Sequence, residues 1–119
     1  MAEHNETGKA GEEIAFEYLI NLGWKVVEQN YRFGKAEIDI IAIDGPEIVF
    51  VEVKTRSSNR IMEPEFAVNR TKQKLIIGAA DFYIRKNKIS QWARFDILSV
   101  VVHPQGKEIR LMKNAYTAY

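Results

Sequence analysis

Apolar and polar positions change their rhythm several times along the chain. From residue 7 to 22, Gly8, Ala15, Phe16 and Leu19 fall on one side of a helical projection. Acidic residues fill the early turns, Asn5 or Thr7 can cap the start, and Gly23 follows the end, so this stretch predicts a first helix. Residues 24–29 predict a strand, and residues 30–35, with Gly34, a loop. Residues 36–43 and 48–55 are rich in Ile and Val and predict two strands joined by the turn Asp44-Gly45-Pro46-Glu47. Residues 56–63 are polar and aperiodic. A second helix is predicted from about residue 65 or 71 to Lys86. A β-rich run at 95–102, a turn at His103-Pro104-Gln105-Gly106 and a last strand at 108–112 complete the order α-β-β-β-α-β-β. Nothing repeats, and residues 1–119 read as a single domain.

Composition narrows the chemistry. With 46% hydrophobic and 28% charged residues, the 119-residue chain has the makings of a soluble globular core. It has no cysteine and only two histidines, His4 and His103. Disulfides, thiol nucleophiles, iron–sulfur clusters, thiolate zinc and multi-histidine sites are therefore excluded. The polar, acidic start carries no signal peptide, and the longest apolar runs are too short to span a bilayer. The expectation is a cytoplasmic protein with no membrane partner. The net charge of +1 hides an asymmetry: residues 1–53 carry 4 basic and 11 acidic side chains, residues 54–94 carry 10 and 3. The basic block is a candidate polyanion surface, against the plainer expectation of solvated outer faces.

On strands, Glu37 and Asp39 share a face, as do Glu52 and Lys54. If the hairpin is symmetric about Gly45-Pro46, Asp39 faces Glu52 and Glu37 faces Lys54. Opposed carboxylates destabilise a strand pair unless a cation compensates them. Lys54 itself could do so as a cross-strand salt bridge. A divalent cation is the functional alternative, with the lysine orienting water or neutralising transition-state charge. Helical projection sets Glu12 in the middle of the first helix's apolar stripe, where a carboxylate needs a partner. Lys72 is centred on the face of Leu75, Ile76, Ala79 and Tyr83, near the second helix's N-terminus. Unless a carboxylate pairs with it or it snorkels, an anion such as phosphate suits it.

These residues carry a family resemblance. Gly11-Glu12-x-x-Ala15-x-x-Tyr18-Leu19, Asn30-Tyr31-Arg32, Glu37-Ile38-Asp39, Phe50-Val51-Glu52-Val53-Lys54-Thr55-Arg56 and Ala67-Val68…Lys72-Gln73 together resemble the YraN family of bacteria. That family resembles archaeal Holliday junction resolvases of the PD-(D/E)xK nuclease superfamily. Ala36, where glycine is usual, and Phe66, where an acid is frequent, depart from the pattern. The resemblance covers roughly residues 8–102. It implies an α/β fold with a restriction-endonuclease-like αβββαβ core, a central mixed sheet flanked by helices. It implies Asp39 and Glu52 as metal ligands, Lys54 as the catalytic lysine and Glu12 as a helix-borne acid near the site. The resulting expectation is a Mg²⁺-dependent (or Mn²⁺-dependent) endonuclease acting on DNA, branched DNA included. The Val53 carbonyl would be a further ligand, and Arg56, Arg60, Arg70, Lys72 and Lys74 would contact phosphates. The alternative is a non-catalytic DNA-binding or accessory module on the same fold. Pairing of two copies as a homodimer stays open.

Overall fold

A computed structural model describes residues 6–57 and 68–118. Arg60 and Phe66 lie outside them. Seven elements follow in the expected order: α1 (Glu6–Asn21), β1 (Lys25–Phe33), β2 (Ala36–Asp44), β3 (Glu47–Ser57), α2 (Arg70–Lys86), β4 (Trp92–His103) and β5 (Gly106–Tyr116). The first helix stops where Gly23 adopts φ +92°, which lets its N–H reach the Ile20 carbonyl and the Trp24 N–H reach that of Leu19. The second begins at Asn69, whose side chain accepts the Lys72 N–H at 2.8 Å.

Two boundaries differ from expectation for physical reasons. Residues 30–33, expected in a loop, continue β1: Asn30 bends the chain with φ +54° and Tyr31 to Phe33 rejoin the ladder. The fourth strand starts at Trp92 rather than 95, because Arg94 is charged yet buried and interrupts an apolar count.

The sheet order is β1-β2-β3-β4-β5, antiparallel except for the parallel β3–β4 pair that α2 connects. Each face carries one helix. Ala15 and Leu19 of α1 pack with Trp24, Val49, Val51, Leu98 and Val100 on one side. Ile76, Ala79, Ala80 and Tyr83 of α2 pack with Ile38, Ile41, Ile48, Phe50 and Phe95 on the other. This is an α/β fold whose central mixed sheet is flanked by helices, consistent with a restriction-endonuclease-like αβββαβ core. Strand β5 extends it at one edge. No helix among the described residues is long and apolar enough to cross a membrane.

Candidate active site

The predicted hairpin register holds from the turn up to one rung. Asp44 pairs with Glu47, Ile43 with Ile48, and so on to Ile40 with Val51. The next rung would oppose Asp39 and Glu52, and there the β2–β3 ladder ends. Beyond it β2 pairs only with β1, while β3 runs on beside β4 to Ser57. The side-chain alternation of β2 slips at the same place, since Ile38 and Ile41, three residues apart, both pack beneath α2. On β1 the facing rung is that of Asn30, with its positive φ. The expected direct oppositions Asp39–Glu52 and Glu37–Lys54 are thus replaced by an opening between two strand pairs. The Asp39 carboxylate fills it, accepting the Val53 N–H at 2.7 Å in place of a ladder carbonyl.

The charges of three other carboxylates, Glu52, Glu12 and Glu37, act on Asp39 in this opening. Burial, then the charge of Glu52, with smaller contributions from Glu12 and Glu37, push the Asp39 carboxyl up to about 8 against the downward pull of its Val53 bond. Glu52 is buried, on the same β3 face as Ile48 and Phe50. From α2, the Lys72 ammonium meets Glu52 Oε2 at 2.5 Å. Burial alone would lower that ammonium's pKa. The Glu52 contact and the charges of Asp39 and Glu37 outweigh it and raise the pKa. Of the anions weighed for Lys72 from sequence, a carboxylate of this protein is its partner. Glu37 projects to the α1 side, since its neighbours Ala36 and Ile38 pack under α2, and it lies 3.6 Å from Arg32. It therefore does not share a face with Lys54.

Glu12 arrives through a close helix–strand approach. A Cβ at residue 11 would sit 2.0 Å from Thr55 Oγ1, so only glycine lets α1 settle against β3 there. Gly11, Ala15 and Leu19 form the buried line of α1. Glu12 is half-buried at the edge of that line rather than at its centre, yet its charge reaches Asp39. Lys54 is half-buried two residues beyond Glu52 on the same face, level with Ser99 of β4. The Ser99 hydroxyl, 1% exposed, has no hydrogen-bond partner among the described residues.

The other basic residues separate. Arg56 is half-buried further along β3, while Arg70 and Lys74 are exposed on α2. Both line a groove of about 420 Å³ with Gln73, Ile77 and the chain end Tyr116 to Ala118. Sequence reasoning missed Tyr116 and Ser99. Burial, then the charges of Glu52 and Asp96, raise the Tyr116 phenol, which places Glu52 within electrostatic range of β5. A lone hydroxyl in the apolar run Ile97-Leu98-Ser99-Val100 was the available signal for Ser99. The basic block also shrinks, because Arg94 is buried and Lys72 belongs to the acidic opening.

The donor set fits a hard divalent cation. Two carboxylates and a main-chain carbonyl offer only oxygen, and a cation would offset both the burial and the neighbouring charge that raise Asp39. Among the described residues no three Asp, Glu, His or Cys side chains form a ready cage. A cation here would draw its remaining ligands from water and phosphate, which is magnesium's habit.

Over residues 11–100 the chain matches the family described as "Uncharacterised protein family UPF0102". A UPF0102 protein of Syntrophus aciditrophicus is 44% identical over 117 residues, covering 98% of this chain and 92% of its own length. One from Porphyromonas gingivalis is 41% identical over 118 residues, 98% and 87% of the two chains. Another, from Thermodesulfovibrio yellowstonii, is 41% identical over 111 residues, 93% and 96%. With its motifs spread over both helices and the opened strand pair, and with near-full-length relatives at this identity, the chain belongs to the UPF0102 (YraN) family.

Proposed function

We propose that the protein is a Mg²⁺-dependent (or Mn²⁺-dependent) endonuclease that hydrolyses DNA phosphodiester bonds, branched or otherwise structured DNA included. One observation carries this reading: the β2–β3 ladder ends where Asp39 and Glu52 would meet, leaving a half-buried and a buried carboxylate beside Lys72 in place of a further rung. Asp39, Glu52 and the Val53 carbonyl would hold the cation. When bound, it supplies Lewis-acid stabilisation of charge developing on the phosphoryl oxygens. Lys54 donates to such an oxygen and helps aim the attacking water. A protonated amine has no lone pair, so it is not a ligand. Glu12 orients water from the α1 side. Arg56, Arg60, Arg70 and Lys74 hold flanking phosphates.

The alternative, a non-catalytic DNA-binding module, draws on the Lys72–Glu52 pair, which already neutralises one of the carboxylates. A panel of nicked, flapped, four-way and linear DNAs with Mg²⁺ or Mn²⁺, and EDTA as control, separates the two. The nuclease reading expects cutting that EDTA stops and Lys54→Ala abolishes. Binding without cutting on every substrate would install the module instead.

A further inference from the structure

Lys72 reaches Glu52 from another layer of the fold. Its main-chain N–H is fixed on the Asn69 side chain at 2.8 Å, so the base of the side chain is set by the helix cap. The four-carbon stem beyond is free to swing. The side chains differ sharply in exposure, 47% for Lys72 and 8% for Glu52. The lysine can therefore leave for solvent, and the glutamate cannot. The ammonium also feels Asp39 and Glu37, so it offsets the whole acidic opening. A carboxylate oxygen holding an ammonium at 2.5 Å cannot receive a divalent cation without bringing two positive charges together.

We infer that Lys72 is the resident counter-cation of the opening: a divalent cation binding at Asp39 and Glu52 displaces its ammonium, which then takes a phosphate of the nucleic acid. This rests on the metal-centre reading given above. Arg70 and Lys74 are exposed on the same first turns of α2 but lie about half a helical turn round from Lys72, along a groove that Lys72 does not line, so the released ammonium takes a phosphate at the opening itself. Metal and nucleic acid then bind cooperatively, each raising the affinity of the other by the same factor.

Calorimetric titration of Mn²⁺ into the full chain, without DNA, tests the displacement. A charge this close commonly shifts an ionic equilibrium by about one to three powers of ten. Lys72→Met is expected to bind Mn²⁺ at least about tenfold more tightly than the parent. Lys74→Met removes the same charge from the same helix and should stay within about threefold of the parent, as should Lys72→Arg. Lys72→Gln repeats the measurement should the Met variant not fold. Equal affinities for Lys72→Met and Lys74→Met, or weaker binding by Lys72→Met, would overturn the inference and leave the metal centre standing. Absence of Mn²⁺ binding in parent and variants alike removes the metal centre and the inference with it. The hand-over is read by fluorescence anisotropy of a duplex oligonucleotide in Ca²⁺ and in EDTA. The parent should bind about fivefold or more tightly with Ca²⁺, and Lys72→Met should lose that gain. A Ca²⁺ gain unchanged in Lys72→Met contradicts the hand-over.

Discussion

At the turn end of the sheet, Arg94 is 7% exposed and bonds Asp96, Asp44 and Glu47 at 2.9, 2.9 and 2.6 Å, beneath the Trp24 ring. Lys113 lies 4.0 Å from Asp44, and the Asn114 N–H donates to Asp96. Burial would pull the guanidinium's pKa down, but its bonds to Asp96 and Asp44 outweigh that and raise it. At the open end, burial and the charges of Glu52, Glu12 and Glu37 act on Asp39, which keeps its proton far above the usual carboxylate range. Both clusters bury carboxylates in the same sheet. The first gives each buried carboxylate a fixed partner and so is structural. The second keeps Asp39 protonated beside a carboxylate whose cation is held on a flexible stem, which is how a site that must accept a ligand differs from one that must hold a fold.

The largest expected effect is on stability against pH. The Asp39 carboxyl titrates near 8 in the fold and near 3.8 ordinarily, so between these values the native state holds a proton that the unfolded chain has released. Its stabilising contribution is full below about pH 4 and is lost as pH rises toward 8. The loss is on the order of several kcal/mol. Melting curves in EDTA should show the parent losing stability over this window relative to Asp39→Asn, and Mg²⁺ at pH 8 should rescue the parent only. Parallel curves for the two proteins would show that the opening is as well compensated as the Arg94 cluster.

Arg94→Met probes the other end. Removing the guanidinium strands Asp96, which is fully buried, and should cost about 3–5 kcal/mol in urea unfolding. A loss below about 1 kcal/mol would mean that water reaches Asp96 and that the cluster is not closed.

How far each cluster could be read in advance follows from the same physics. The β2–β3 register was legible because a two-residue loop fixes which rungs meet, and five rungs obey it. The sixth, at Asp39, escaped, because hairpin symmetry carries no information on where two strands part. Glu12 and Lys72 stood out as charges on apolar helix faces, and both end beside the opening. The partner of Lys72 was not legible, since the contact spans 20 residues and two layers. Arg94 was counted in the basic block, although its spacing of two from Asp96 puts the pair on one strand face, a signal open to reading.

Lys54→Ala should lower any cleavage rate by about 10² to 10³, the usual loss when one stabiliser of transition-state charge is removed. It should leave Mn²⁺ binding in place. Asp39→Ala should lose metal affinity and cleavage together. Single-turnover cleavage beside Mn²⁺ titration separates them, and undiminished cutting by Lys54→Ala would shift the reading to the binding module.

The smallest effect concerns the surface between the clusters. Exposed cations on and around the first turns of α2 have no base-reading motif beside them, so DNA should bind with little sequence preference and strong salt dependence. Contacts to about four to six phosphates give a log–log slope of roughly −4 to −5. Arg70→Ala or Lys74→Ala should each reduce its magnitude by about 1. Arg85→Ala should leave it unchanged, because Arg85, on the last turn of the same helix, bonds Asp81 at 3.0 Å. The measurement is anisotropy of a labelled duplex across salt concentrations in EDTA. Equal slopes for Arg70→Ala and Arg85→Ala would mean that the exposed charge of α2 acts as a diffuse field rather than as contacts beside the opening. Affinity indifferent to salt would remove nucleic acid from this face, and the protonated Asp39 beside the Lys72–Glu52 pair would then need another ligand to explain it.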